Sequence, residues 1–264
     1  MEPALHTRVA DGVATVVIRH PARRNAMTGA MWRSLPPLLD RLAADPAVRC
    51  LVLTGAGDTF CAGADITMLL DGKEDARALA VAAEEALAAF PKPTVAAVRG
   101  ACVGGGCQLA VACDLRFAEH GALLGLTPAR LGVVYPASAT ARLRSLVGPS
   151  TAKYLLFSGE LVGADRALRM GLVDEVTGAG LLTERVDRFT AALAGGSLLT
   201  QMAAKEFTDR EGTPAEREAH WASAAVGSGE TAEGAAAFLG RRPPRFAWRP
   251  GASFPGAAPP PHEG

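Results

Sequence analysis

Twice in its first half the chain runs from a stretch of apolar, strand-type residues straight into a glycine-rich turn, and this repetition limits the folds open to it. The first turn, Gly55-Ala56-Gly57-Asp58-Thr59-Phe60-Cys61-Ala62-Gly63-Ala64-Asp65-Ile66, follows the apolar run Val48–Thr54. The second, Arg99-Gly100-Ala101-Cys102-Val103-Gly104-Gly105-Gly106-Cys107-Gln108-Leu109, follows Pro93–Val98 and opens a helix over Gly104–Ala112. Glycine lets the backbone turn sharply and lets a ligand approach bare amides. The first amides of a helix are unpaired and carry the positive end of its dipole. Two such turns on neighbouring strands can aim two N–H groups at one oxygen, the arrangement that stabilises a developing oxyanion. Taken singly, each reads equally well as a plain strand-to-helix turn. Neither has the Gly-x-Gly-x-x-Gly spacing of a dinucleotide site, and the Gly-x-x-x-x-Gly-Lys-Ser/Thr phosphate loop is absent.

The pattern around the turns alternates strand and helix. Leu5–Val9 and Val13–Arg19 flank Asp11-Gly12, the signature of a tight hairpin. Thr28 caps a predicted helix to about Ala44, which Pro36-Pro37 should bend or interrupt. Glu74–Phe90 is alanine-rich with helical leucine spacing and is ended by Pro91, and Leu115–Ala118 is a further strand. This alternation predicts a parallel sheet covered on both faces. Beyond Pro136 the pattern is mostly helical, near Thr140–Val147, Pro149–Ser158, Ala164–Met170, Leu181–Ala194, Ser197–Arg210 and Thr213–Val226, with a short strand at Leu172–Val176. From Gly251 onward Pro, Gly and Ala dominate, as in an unpacked tail.

Lys+Arg and Asp+Glu both count 27, a balance that argues against nucleic-acid binding. No stretch is apolar enough for a membrane span, and Met1–Val9 lacks a signal-peptide core, so a cytoplasmic protein is expected. Cys50, Cys61, Cys102, Cys107 and Cys113 read as small buried thiols, and the scattered histidines give no metal-ligand spacing.

Asn25-Ala26-Met27, Phe60 to Ile66, Gly104-Gly105-Gly106-Cys107 with Ala112-Cys113-Asp114, and the ending Glu230 to Arg242 resemble, in order, the crotonase (enoyl-CoA hydratase/isomerase) superfamily. The resemblance spans residues 5 to about 248. It implies an α/β spiral of ββα units over residues 1–195, a C-terminal helical trimerisation region over 196–248, and a tail over 249–264. It further implies acyl-coenzyme A substrates, no separate cofactor, and a homotrimer or dimer of trimers. The oxyanion amides should be those of Ala64 and Gly105. Arg24, Ala26, Ala62, Asp65, Ile66 and Gly104 match positions along the coenzyme path, and Phe238 and Arg242 sit where a neighbouring subunit touches it.

Hydratases of this family use two glutamates, at positions that here hold Gln108 and Pro128. Neither side chain exchanges a proton near neutral pH. The segment Leu126–Pro136 resembles instead the superfamily's malonyl-type decarboxylases, which pair a Thr-Pro with a later Tyr, here Thr127 and Tyr135. Loss of CO2 leaves an enolate that an oxyanion hole stabilises without any base, so decarboxylation of a methylmalonyl-type thioester is the first expectation. In that scheme neutral hydroxyls orient the carboxylate and Gln108 adds an amide contact. A hydratase or isomerase with an atypical acid–base group, and a non-catalytic acyl-coenzyme A scaffold, are the alternatives. Glu84 and Glu85 read as solvated helix glutamates, although one of them as a distant base fits the first alternative.

Overall fold

The structure is a computed structural model that describes residues 2–68, 76–209, 212 and 214–250. The hairpin forms as the sequence requires: β1 (Ala4–Ala10) pairs antiparallel with β2 (Val13–Arg19). Its two turn residues, Asp11 and Gly12, both take positive φ, the tight-turn geometry that matches strand twist. From β2 onward the main sheet is parallel, through β3 (Cys50–Gly55), β4 (Thr94–Val98), β6 (Leu115–Glu119) and β9 (Glu175–Thr177). A second, smaller sheet holds β5 (Ala101–Val103), β7 (Leu123–Gly125) and β8 (Val162–Gly163).

The alternation of side chains along each strand sorts the core into two faces. Ala14, Val16, Ile18, Leu51, Leu53, Ala96, Val98 and Ala118 pack on one side with α1 (Gly29–Ala44), α2 (Ala76–Ala88) and α3 (Gly105–Ala112). Val52, Val95, Ala97 and Phe117 pack on the other with Leu182 and Val186 of α7 (Leu182–Gly195). Asp114 ties the end of α3 to β4: its carboxylate accepts the Thr94 N–H at 2.7 Å and pairs with Lys205 at 2.7 Å.

Thr28 caps α1 as expected, its hydroxyl accepting the Met31 N–H. Of the bend or interruption expected at Pro36-Pro37, the interruption does not occur: α1 continues through both prolines. Each proline removes one helical donor, but Met31, Trp32, Leu35, Leu38, Leu39 and Leu42 form a buried stripe that holds the helix on the sheet. The remaining helices are α4 (Pro128–Leu131), α5 (Ala137–Ser158), α6 (Ala164–Arg169), α8 (Leu198–Asp209), α9 (Ala215–Ser228) and α10 (Glu230–Leu239). Gly148, at φ 78°, breaks α5 into the two helices anticipated there. The strand expected at Leu172–Val176 begins later, at Glu175. The tail from Gly251, and Glu74 and Asp75 at the start of the predicted alanine-rich helix, lie outside the described residues.

Candidate active site

After each of β3, β4 and β6 the chain turns and adds a short extended segment to a second layer before any helix begins. The backbones of Cys61 and Cys102, and of Met27 and Ala64, pair as isolated parallel β-bridges, and both cysteines are free thiols. In the Met27–Ala64 bridge the bonds run from Met27 N–H to Gly63 O, 2.8 Å, and from Asp65 N–H to Met27 O, 2.9 Å. The N–H of Ala64 itself therefore points away from Met27. On the facing segment, Gly105 is the first residue of α3, so its N–H has no acceptor within the helix.

These two amides lie at one place. A Cβ built on Gly105 would lie 3.6 Å from the Ala64 nitrogen, and one built on Gly63 would lie 3.5 Å from the Gly105 nitrogen. Gly63 takes φ 106°, and its added Cβ would press on the Val103 carbonyl at 3.0 Å, so this close approach requires glycine. Asn25 anchors the first turn. Buried and in the left-handed region, it donates to the carbonyls of Ala56 (2.8 Å) and Thr59 (2.6 Å) and accepts the His20 N–H (3.0 Å).

Both amides open onto a cavity of about 340 Å³. Its lining brings together Ala26, Ala62, Ala64, Asp65, Ile66, Gly104, Gly105, Gln108, Thr127 and Tyr135, ten of the residues singled out in the sequence. Arg24 lies apart, in a neighbouring cavity, although its carbonyl accepts the Ala62 N–H at 3.0 Å. Phe238 and Arg242 are outside both cavities. Phe238 is 84% exposed, and Arg242 is paired with Glu233 at 2.6 Å.

Tyr135 and Thr127 face Gly104: a Cβ there would lie 3.7 Å from the tyrosine hydroxyl and 3.8 Å from the threonine hydroxyl. Burial pushes the Tyr135 phenol well above its ordinary pKa, and a hydrogen bond with the Thr127 backbone opposes the rise only in part. It stays neutral. All five cysteines are buried, and burial pushes the Cys61 thiol up to about 12. Among the described residues no three His, Cys, Asp or Glu side chains gather as a metal site.

The sequence reading took Glu84 and Glu85 together as solvated helix glutamates, with one of them as a distant base only in the hydratase or isomerase alternative. Glu84 is not solvated. It is 1% exposed and lines the cavity from α2, on the helix face that also carries Arg77, Ala80 and Val81. Burial raises its carboxyl from the usual range to about 8, with the charge of Arg142 opposing the rise and that of Glu85 adding to it. Its Oε2 has no hydrogen-bond partner among the described residues. Glu85, one position on, does face outward and pairs with Arg142 at 2.9 Å. A helical stripe of Ala80, Ala83/Glu84 and Leu87 was the available signal, because it turns Glu84 inward and Glu85 out. Two further polar atoms of the lining also lack partners among the described residues: Trp32 Nε1 and Gln108 Nε2.

This geometry meets its counterpart in known proteins. The enoyl-CoA hydratase/isomerase family model matches residues 8–249. The chain belongs to the enoyl-CoA hydratase/isomerase family. Its relatives include the crotonyl-CoA hydratase of Syntrophomonas wolfei, 32% identical over 89% of this chain and 95% of that protein. The 2,3-dehydroadipyl-CoA hydratase of Escherichia coli is 34% identical over 90% of this chain and 96% of its own length. A solved enoyl-CoA hydratase/isomerase family member superposes with a TM-score of 0.90 at 39% identity, covering 95% of this chain and 98% of that one. The crotonase fold and action on acyl-coenzyme A expected from the sequence therefore stand at the level of the family. The decarboxylase expectation gains no support from these relatives, which are hydratases by name; the hydratase alternative fits them better. No helix among the described residues is long and apolar enough to cross a membrane.

Proposed function

We propose that this enzyme adds water across the double bond of an enoyl-coenzyme A thioester, with Glu84 as its single acid–base group. The observation that carries this reading is the buried Glu84 carboxyl in the wall of the cavity onto which the Ala64 and Gly105 amides open. Gln108 and Pro128 occupy the positions of the family's usual glutamates, so a carboxyl from α2 takes over their task. Below pH 8 Glu84 is protonated. In one step its hydroxyl gives that proton to the carbon next to the thioester while its other oxygen takes a proton from the water that adds to the following carbon, so the carboxyl ends protonated as it began. As these bonds change, negative charge builds on the thioester oxygen, and the two backbone donors stabilise it. Tyr135, kept neutral, closes the pocket beside them. Coenzyme A enters only as part of the substrate.

A second reading, movement of the double bond along the chain, is favoured by the presence of one carboxyl instead of two. A single base that shuttles a proton between two carbons completes that reaction without water. The test offers purified enzyme crotonyl-, 3-enoyl- and methylmalonyl-coenzyme A and follows products by mass. Hydration of the first, lost in Glu84→Gln, supports the proposal. Turnover of the second alone favours isomerisation, and CO2 release from the third would overturn both.

Assembly as a trimer is proposed with this activity. Val226, Phe238 and Leu239 are more than 80% exposed on α9 and α10, as expected of surfaces that pack against a second copy.

A further inference from the structure

Three of the buried side-chain polar atoms without partners, Trp32 Nε1, Glu84 Oε2 and Gln108 Nε2, belong to the lining of one cavity. Their side chains are nine-tenths or more buried: Trp32 is 0%, Glu84 1% and Gln108 6% exposed. A buried donor left unsatisfied costs free energy, and in a binding site a substrate is the natural acceptor. Glu84 has its role in proton transfer. Trp32 and Gln108 have none there, since neither exchanges protons near neutral pH.

Both side chains line the cavity onto which the oxyanion amides open. The outer edge of the Trp32 indole would sit 3.2 Å from a Cβ on Gly105, and Gln108 follows one helical turn after Gly105. A group that meets them is therefore on the acyl chain, a few bonds from the thioester. We infer that the substrate's acyl chain carries an uncharged oxygen, a ketone or hydroxyl, which accepts hydrogen bonds from Trp32 Nε1–H and the Gln108 amide. This rests on the reading of the cavity as an acyl-thioester site and narrows its substrate class.

The charge balance of the wall selects a neutral oxygen over a carboxylate. Among the described residues the lining has two arginines, Arg23 and Arg77, both exposed, and the buried part of the wall holds donors but no cation. A carboxylate there would be desolvated without a counter-charge, a penalty two neutral donors do not offset.

The test measures binding by calorimetry on the Glu84→Gln variant, which removes the acid–base group. The probes are butyryl-, 4-oxopentanoyl-, 4-hydroxypentanoyl- and succinyl-coenzyme A, compared with Trp32→Phe and Gln108→Leu added singly. The expected result is that an oxo or hydroxy thioester binds about 5- to 30-fold tighter than butyryl-coenzyme A. Each added substitution should remove most of that preference while leaving butyryl binding within about threefold. Thermal melts check that the Trp32→Phe protein is folded; Gln108→Leu gives an independent reading if it is not. Equal affinity for all four probes, or tightest binding of the succinyl thioester, overturns the inference. Binding of none would instead remove the acyl-thioester reading on which it rests, and preference without hydratase turnover would remove only the proposed reaction.

Discussion

At Glu84 a single carboxyl couples catalysis to pH. Its proton is held up to about pH 8 because burial penalises the carboxylate. Hydration begins from the protonated acid, so its kcat/KM should be flat below that value and fall as pH rises through it. The carboxyl is protonated again when the product forms, so dehydration of the hydroxy product begins from the same acid and should fall through the same value. Rate profiles in both directions read this directly, and a forward rate that climbs towards pH 9 contradicts the assigned role. Glu84→Gln should lower kcat by roughly 10²- to 10⁴-fold, the usual contribution of a positioned acid or base. Stability follows the same proton. The folded pKa, about 8, exceeds the ordinary 4.5, so between these values the native state binds a proton that the unfolded chain lacks. Stability contributed by the protonated carboxyl is then complete below pH 4.5 and is lost as pH rises, at up to ~1.4 kcal/mol per unit. Denaturant melts at pH 5.5 and 8 should show that loss in the wild-type protein and a shallower one in Glu84→Gln.

At the scale of elements, the site depends on how closely α3 approaches the segment Cys61–Ala64. Gly106 sets that distance: a Cβ there would meet the Cys61 carbonyl at 2.4 Å and its Cβ at 2.7 Å. Backbone cannot move aside as a flexible side chain can. Gly106→Ala should therefore push α3 outward, part the two oxyanion amides, and cost about 1–3 kcal/mol of stability. Turnover should drop by a larger factor than thioester affinity, because the amides matter most to the charge that builds during the reaction. Steady-state kinetics beside a thermal melt test this, and unchanged kcat would separate the amides from catalysis. The longer elements were legible from sequence because their apolar periodicity is strong, as in β2 and α1. So was the pair of glycine turns, which placed Ala64 and Gly105 on one cavity. The strands β5, β7 and β8 were not, since two or three residues carry no period. Glu84 was obscured for a related reason: in an alanine-rich helix the contrast between faces is small, and adjacent glutamates look alike until Leu87 fixes the inner face.

For the molecule as a whole, one chain accounts for the acyl cavity but not for every residue the family pattern points to. Phe238 lies on α10, highly exposed and outside the cavity. We propose that Phe238 acts on catalysis through another copy. In the trimer proposed above, its ring would meet the nucleotide end of the neighbour's coenzyme, far from the reacting carbons. Phe238→Ala should then raise KM for a coenzyme A thioester about 3- to 10-fold, the order expected for loss of one aromatic contact. Its kcat should remain near that of the wild type, because interactions made equally in ground and transition states alter only binding. A pantetheine thioester of the same acyl group lacks the nucleotide, and its KM should not respond. Light scattering on the same samples fixes the subunit number. A monomer with unchanged kinetics, or an equal loss on both thioesters, would show that α10 does not reach across to a neighbouring site.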